Sequence, residues 1–396
     1  MIILETLKNL AGQAMQLPNS LANINQKEIP SPGHRIMFTP TSLGSIEIKN
    51  RLVMAPLTRM RAISDSVPSS LAAEYYGQRA SAGLIITEAT QISPLGAGYP
   101  ATPGIYSSRQ AEAWSDIVSK VHAKQGTIVA QLWHVGRISH SSHHIQEGLP
   151  IAPSSIAATG QIYGADWRLY NYENPREMTW DDISIVLNEY KLAAQNARAC
   201  GFDGIEIHAA NGYLLDQFLQ DKTNQRKDHY GGTIENRLRL LGEVIAECSE
   251  VFKSNRIGVR LSPFGTFNDI GDSDPIALFM ATIQMLNQRD LAYVHMIEPR
   301  STNACRNDQL DEVAPITSEM FRKAYSGKFI SAGGYDRAMG EKVLKEGMAD
   351  AIAYGRLYIS NPDLAERFQT NAVVNSYDRS TFYGGDHAGY TDYPPL

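Results

Sequence analysis

The chain has 396 residues, 36 Lys and Arg against 42 Asp and Glu, a formal charge of −6 and 43% hydrophobic residues. That is an ordinary globular composition, long enough for one barrel domain or two smaller ones. The mild acidity and the lack of any Lys/Arg-rich run exclude nucleic acid as the main partner, and no apolar run approaches the length of a membrane span.

Cys200, Cys248 and Cys305 lie far apart with no CxxC spacing. They imply neither a disulfide framework nor a zinc or iron–sulfur site, and fit a reducing cytoplasm. Residues 1–35 read as an extension with no assigned role, followed by one domain over 36–396. Met1-Ile2-Ile3-Leu4 is too short for an h-region and lacks preceding basic residues, so a secretory signal is not expected; Met37 is an alternative start.

From residue 36 onward strand-like and helix-like segments alternate. The strand candidates are 51–57, 83–89, 128–133, 204–208, 257–261, 292–297, 329–332 and 351–354. Between them lie amphipathic segments with recognisable ends. The segment 108–125 stops at Gly126, and Thr179-Trp180-Asp181-Asp182 resembles a capping box opening a helix that stops at Gly201. Asp274-Pro275 and Asn361-Pro362 each read as an N-cap followed by proline at the first helical position. Eight strands alternating with helices predict an α/β fold, a single (β/α)8 TIM barrel, with a doubly wound sheet as the alternative. Residues 137–178, after strand 3, predict a capping insertion, and residues 298–315 a long loop after strand 6; loops of this length commonly form lids or substrate walls.

The densest stretch is Gly204-Ile205-Glu206-Ile207-His208-Ala209-Ala210-Asn211-Gly212-Tyr213. Its first half alternates with strand period, and Leu214, Leu215, Phe218 and Leu219 then recur at helical spacing. His208 therefore ends a strand, on the face where a barrel carries its chemistry, with Asn211 and Tyr213 close behind. The plainer reading makes Asn211 an N-cap and the His and Tyr structural groups.

The other strand ends add polar groups. Thr58 follows the first, Gln131 lies near the end of the third and Arg260 near the end of the fifth; Gly333-Gly334 follow the seventh and Gly355-Arg356 the eighth. Glycines admit a phosphate to backbone N–H groups and arginine supplies a bidentate cation, so a phosphorylated cofactor is implied. Alternatively, the glycines only end strands and Arg356 is a surface charge. Arg260, within an apolar strand, requires a partner or a ligand: Glu206 as a barrel ion pair, or a flavin whose reduced form it would stabilise.

Taken together, Ala55-Pro56-Leu57-Thr58-Arg59, Gln131-Leu132-Trp133, His208-Ala209-Ala210-Asn211-Gly212-Tyr213, Asn236-Arg237, Gly355-Arg356 with Ser360-Asn361-Pro362-Asp363-Leu364, and Gly389-Tyr390-Thr391-Asp392-Tyr393-Pro394 resemble the Old Yellow Enzyme family of FMN-dependent ene reductases. The resemblance runs from about Met37 to the C-terminus. It implies that Pro56, Leu57, Thr58, Ala89, Gln131 and Arg260 surround the flavin ring of FMN, with Gly333, Gly334, Gly355 and Arg356 at its phosphate. It further implies that His208 and Asn211 hold the substrate carbonyl oxygen, that Tyr213 donates the proton, and that Tyr99, Trp133 and Tyr383 shape the pocket. Thr58 marks the larger branch of the family. Val294-His295-Met296-Ile297-Glu298-Pro299-Arg300 and Ala332-Gly333-Gly334-Tyr335-Asp336-Arg337 are also similar to the plant 12-oxophytodienoate reductases, which hints at a cyclic enone.

The expectation is a cytoplasmic, NADPH-dependent reduction of α,β-unsaturated aldehydes or ketones by a monomer or homodimer. The rivals are an iron–sulfur dienoyl reductase, against which the scattered cysteines argue, a redox isomerase, and a flavin-binding protein without turnover. His134, His140, His143 and His144 cluster in one short stretch. No carboxylate or cysteine accompanies them at a ligand spacing, so no metal is expected and a pocket-lining or solvated loop is the better reading.

Overall fold

The computed structural model describes residues 35–144, 148–300, 314 and 316–396. All of the expected 1–35 extension but Arg35, and most of the expected 298–315 loop, lie outside these residues. The described domain begins at Arg35, whose guanidinium donates to Phe368 O at 3.0 Å and Asn371 Oδ1 at 2.7 Å.

Eight parallel strands close a barrel: β1 (Leu52–Met54), β2 (Leu84–Ile86), β3 (Ile128–Trp133), β4 (Gly204–His208), β5 (Ile257–Leu261), β6 (Tyr293–Ile297), β7 (Phe329–Ala332) and β8 (Ala351–Tyr354). Each pairs with the next, and β8 returns to β1 through Ala353 opposite Val53. Helices follow them: α1 (Ser70–Gln78), α2 (Ser108–His122), α3 (Trp180–Ala199), α4 (Ile234–Ser249), α5 (Pro275–Asn287), α6 (Thr317–Phe321), α7 (Arg337–Lys345) and α8 (Leu364–Thr370). This is the (β/α)8 architecture, not a doubly wound sheet.

Strand period sorts the side chains. Val53, Leu84, Ile86, Val129, Tyr293, Ile330 and Ala351 point inward and make one buried core. Leu52, Met54, Ile85, Ala130, Leu132, Ile205 and Ile207 point outward into a second core, shared with the helices. An antiparallel hairpin, Thr41–Leu43 with Ile46–Ile48, joins the inner core and closes the amino end of the barrel. Gly44 turns it at φ +57, where a Cβ would fall 2.3 Å from Asn255 O, so the hairpin seats only with glycine there.

The capping box at α3 forms as expected, with the Thr179 side chain accepting from Asp182 N. Asp274 caps α5 and Pro275 is its first residue. The Asn361 reading is corrected. Helix α8 begins at Leu364 with Asp363 in the cap position, and Asn361 instead donates to Leu357 O at 2.9 Å and accepts from Asn375 N at 2.6 Å. The runs 51–57 and 83–89 also outlast their strands, which end at Met54 and Ile86.

The insertion after β3 is built from two small sheets, Ile151–Ala152 parallel to Arg176–Glu177 and the hairpin Gln161–Tyr163 with Leu169–Asn171. Arg59 and Arg61 bind the C-terminal segment through carbonyls that include Phe382, Gly389 and Ala388, and Arg79 binds Tyr358 O and Ile359 O. Among the described residues no helix is long and apolar enough to cross a membrane.

Candidate active site

After His208 the chain turns sharply. Asn211 and Gly212 take left-handed conformations, φ +59 and +75. A Cβ at Gly212 would lie 2.8 Å from both Asn268 Cβ and Phe267 O, so the turn needs glycine there. Three contacts fix it: Asn211 N donates to Ser262 Oγ at 2.8 Å, Asn268 Nδ2 to Asn211 O at 2.9 Å, and Gly212 N to Asp216 Oδ2 at 2.8 Å. The following helix is Leu214–Leu219 with Tyr213 in the cap position. Asn211 is therefore not its N-cap; the strand-to-helix passage uses a turn that holds Asn211 outside the helix.

This turn delivers Tyr213 onto an aromatic wall. Its ring stands edge-on to Trp133 at 5.0 Å and to His208 at 5.2 Å. Tyr99 stacks on Trp133 at 5.9 Å, and the Tyr99 and Tyr213 hydroxyls are 3.3 Å apart. Ala89 packs in the same cluster. His208 is 3% exposed and Tyr213 8%. Burial first, then the charges of Arg260 and His295, holds the His208 imidazole well below its ordinary range. It is neutral at physiological pH, and its buried Nδ1 has no protein partner.

Beside this wall opens a cavity of about 360 Å³. Its lining includes Ala55, Pro56, Leu57, Asn211, Arg260 and Ile297 together with Gly333, Gly334, Gly355, Arg356 and Tyr377. Gly333 has φ +135, and a Cβ there would meet Glu298 Cβ at 2.8 Å. Glu298 is itself pinned, accepting from Thr317 N at 2.7 Å, Ser318 N at 3.1 Å and Ser331 Oγ at 3.0 Å. The 333–334 backbone is thus held open from beneath. Glycines, two arginines and apolar side chains around one cavity fit a phosphate-bearing planar cofactor such as FMN.

Near Arg260 the barrel interior is polar. Glu206, fully buried, accepts from Gln131 Nε2 at 2.7 Å and faces His295 Nδ1 at 2.9 Å. Thr58 follows the lining residue Leu57 and is half-buried. Tyr383 lies on the C-terminal segment, 55% exposed and edge-on to Phe382. The sequence reading assigned no site role to Ser262, Asp216, His295 or Tyr377; the inward register of Arg260 and His295 was the available signal for His295 and, two residues on, for Ser262.

The four histidines between 134 and 144 bond to protein. His134 Nδ1 accepts from Gly136 N at 3.0 Å, His140 Nδ1 from Ser142 N at 3.1 Å, His143 Nε2 meets Tyr163 O at 3.0 Å and His144 Nε2 meets Ala97 O at 2.8 Å. Burial lowers His134 to about 3 and His143 to about 4.

Residues 36–375 match the NADH:flavin oxidoreductase / NADH oxidase family. The chain is 46% identical to 12-oxophytodienoate reductase 1 of Oryza sativa subsp. japonica over 364 residues, 91% of this chain and 93% of that one. Among solved structures, morphinone reductase in complex with tetrahydroNAD superposes with a TM-score of 0.84 at 45% identity, covering 91% of this chain and 97% of the other. An Old Yellow Enzyme homologue from Zymomonas mobilis gives 0.86 at 42% identity, covering 91% and 99%.

Proposed function

The chain belongs to the NADH:flavin oxidoreductase / NADH oxidase family, as an Old Yellow Enzyme-type FMN-dependent ene reductase, and we propose that it uses NADPH to reduce the activated C=C bond of α,β-unsaturated aldehydes and ketones. The observation that carries the residue assignment is the convergence of His208, Asn211 and Tyr213 at the carboxyl end of β4, beside the glycine and arginine cradle.

Gly333, Gly334 and Gly355 offer backbone N–H groups and Arg356 a guanidinium to the FMN phosphate. Pro56, Leu57, Thr58, Ala89, Gln131 and Arg260 surround the ring. When bound, FMN supplies hydride-transfer chemistry between the nicotinamide and the substrate β-carbon. The chain's own groups do the rest. His208, neutral and 3% exposed, and Asn211 donate hydrogen bonds to the substrate carbonyl oxygen. Their field stabilises the enolate as charge develops there, and burial strengthens it. Tyr213 gives its phenolic proton to the α-carbon; a phenol is protonated at neutral pH and needs no unusual tuning for that role. Trp133 and Tyr99 form the wall against which the substrate lies, and Tyr383 stands farther out.

The test is a visible spectrum of the purified protein, followed by anaerobic NADPH and then 2-cyclohexenone. A yellow protein that bleaches with NADPH and recolours with the enone is expected. A colourless protein that stays so after incubation with FMN defeats the cofactor assignment; bleaching without recolouring defeats the ene reduction. A narrower reading, favoured by the 46% identity to a 12-oxophytodienoate reductase, is a preference for cyclic enones. Faster turnover of cyclic than of open-chain enones supports it.

A further inference from the structure

Glu206 lies at the centre of the barrel's polar layer. β4 runs between β3 and β5, so Glu206 sits level with Gln131 on one side, and His208 level with Arg260 on the other. His295 lies opposite Arg260 on β6. Both Glu206 oxygens are engaged from within this layer, Oε1 by Gln131 Nε2 at 2.7 Å and Oε2 by His295 Nδ1 at 2.9 Å. Glu206 and His295 are each 0% exposed.

Two consequences follow from donor and acceptor identity. A carboxylate only accepts, so Glu206 fixes which end of the Gln131 amide it binds: the NH2 group faces Glu206 and the carbonyl oxygen faces away. His295 Nε2 is buried with no protein partner. A bare nitrogen there costs less than an unpaired N–H, which places the proton on Nδ1, donating to Glu206, and leaves the ring neutral. Burial leads in holding His295 below its ordinary range. Burial opposes the charge on Glu206 too, but His295, Arg260 and Gln131 outweigh it and hold the carboxyl below the usual range. The layer therefore carries one anion, Glu206, against one cation, Arg260.

We propose that Glu206 is a positioning residue for the flavin: it orients the Gln131 amide toward the ring, and its carboxylate offsets the Arg260 charge so that the reduced cofactor is not held too firmly to give up its hydride. This rests on the FMN reading above. An anion beneath the ring disfavours the electron-rich reduced form, and the low dielectric of a buried site makes that repulsion felt across several ångströms.

The experiment measures the two-electron midpoint potential of bound FMN by equilibration with reference dyes in the wild type, Glu206→Gln and Glu206→Asp. Removing the charge in Glu206→Gln should shift the reduction equilibrium at least about tenfold toward the reduced form, ~30 mV more positive for a two-electron couple. NADPH should then reduce the flavin faster, and an enone should reoxidise it more slowly. Glu206→Asp keeps the charge and should stay within about threefold of the wild-type equilibrium constant, well under one such step. A Glu206→Gln midpoint equal to the wild type, or a Glu206→Asp midpoint displaced as far as that of Glu206→Gln, overturns the proposal. If Glu206→Gln yields no folded protein, Glu206→Asp still tests the proposal, because a midpoint displaced by one such step shows a packing role and overturns it. A wild-type chain that takes up no FMN defeats the cofactor reading instead, before any variant is compared.

Discussion

The hydroxyls of Tyr99 and Tyr213 face each other at 3.3 Å across a wall made by Trp133. Tyr213 is the buried member of the pair and Tyr99 the partly exposed one. Replacing Tyr213 by Phe removes the proposed acid without disturbing the ring contacts. General acid catalysis contributes roughly 10²–10⁴-fold, so the oxidative half-reaction with a simple enone should slow by that order. Flavin reduction by NADPH should stay within about twofold of the wild type, since no proton from Tyr213 enters that half. Stopped-flow measurement of the two halves separates them; a Tyr213→Phe protein that reoxidises at the wild-type rate removes Tyr213 from the mechanism.

His208 gives a prediction about pH. Its imidazole is held well below 6.5, mainly by burial, and so is neutral throughout the physiological range. The rate of enone reduction should therefore show no titration assignable to His208 between about pH 5.5 and about pH 8. His208→Ala should lose about 10²–10³-fold in kcat/KM for the enone, the usual effect of removing one oxyanion donor. A limb near pH 6.5 that vanishes in the variant would contradict a neutral donor.

Much of this site was legible because strand period is strict. Glu206 and His208, Gln131, Arg260 and His295 all fall on inward positions of their strands, and the ladder places them level with one another. The ends of elements were less legible. The run at 51–57 stays apolar past its strand because Ala55, Pro56 and Leu57 go on to line the cavity, and the run at 83–89 stays buried past Ile86 through Thr87, Glu88 and Ala89. Asn361 was misread as a cap, and Asn211 stayed open to the same plainer reading, for one shared reason. A short amide side chain suits an N-cap, a left-handed turn or a cross-link to a distant backbone equally well. Only Ser262 and Asn268 in one case, and Asn375 in the other, decide which. The buried guanidinium of Arg59 was beyond reach of local pattern, because its acceptors are 323 and 330 residues away along the chain.

Gly333 and Gly355, proposed to meet the FMN phosphate, should respond differently to alanine. At Gly333 a Cβ would press on Glu298 Cβ at 2.8 Å and Glu298 O at 3.1 Å, and φ is +135. Glu298 cannot yield, because Thr317, Ser318 and Ser331 hold its carboxylate. Gly333→Ala should weaken FMN binding by tenfold or more, ~1.4 kcal/mol, and lower Tm. At Gly355 φ is −94, and the only near neighbour is Leu57 Cδ2 at 3.3 Å, the end of a mobile side chain. Gly355→Ala should change FMN affinity by less than about threefold. Fluorescence titration of apoprotein with FMN measures both, and equal losses would show that the cradle is not held from beneath by Glu298.

Glu88 should make the protein less stable as pH rises. It is buried beside Arg59 and Tyr76, accepting from Arg59 N at 3.1 Å. Burial pushes its carboxyl up from 4.5 to about 7, the nearby arginines only partly offsetting this. Below about pH 4.5 both folded and unfolded chains keep the proton, and no dependence arises. Between about 4.5 and about 7 the unfolded chain has released it while the folded chain holds it, so each pH unit costs the folded state about 1.4 kcal/mol. Above about 7 both are ionised and the full loss, on the order of 3 kcal/mol, is constant. Other carboxylates run the opposite way, Asp182 among them, held low by Arg176. The informative quantity is therefore the stability of Glu88→Gln minus that of the wild type, measured by denaturant unfolding at several pH values. Glu88→Gln carries no proton to lose, so the difference should grow in the variant's favour from about pH 4.5 to about pH 7 and then level off. A difference that stays constant across that range would mean that Glu88 is already ionised in the folded protein, and that Arg59 and Arg61 outweigh its burial.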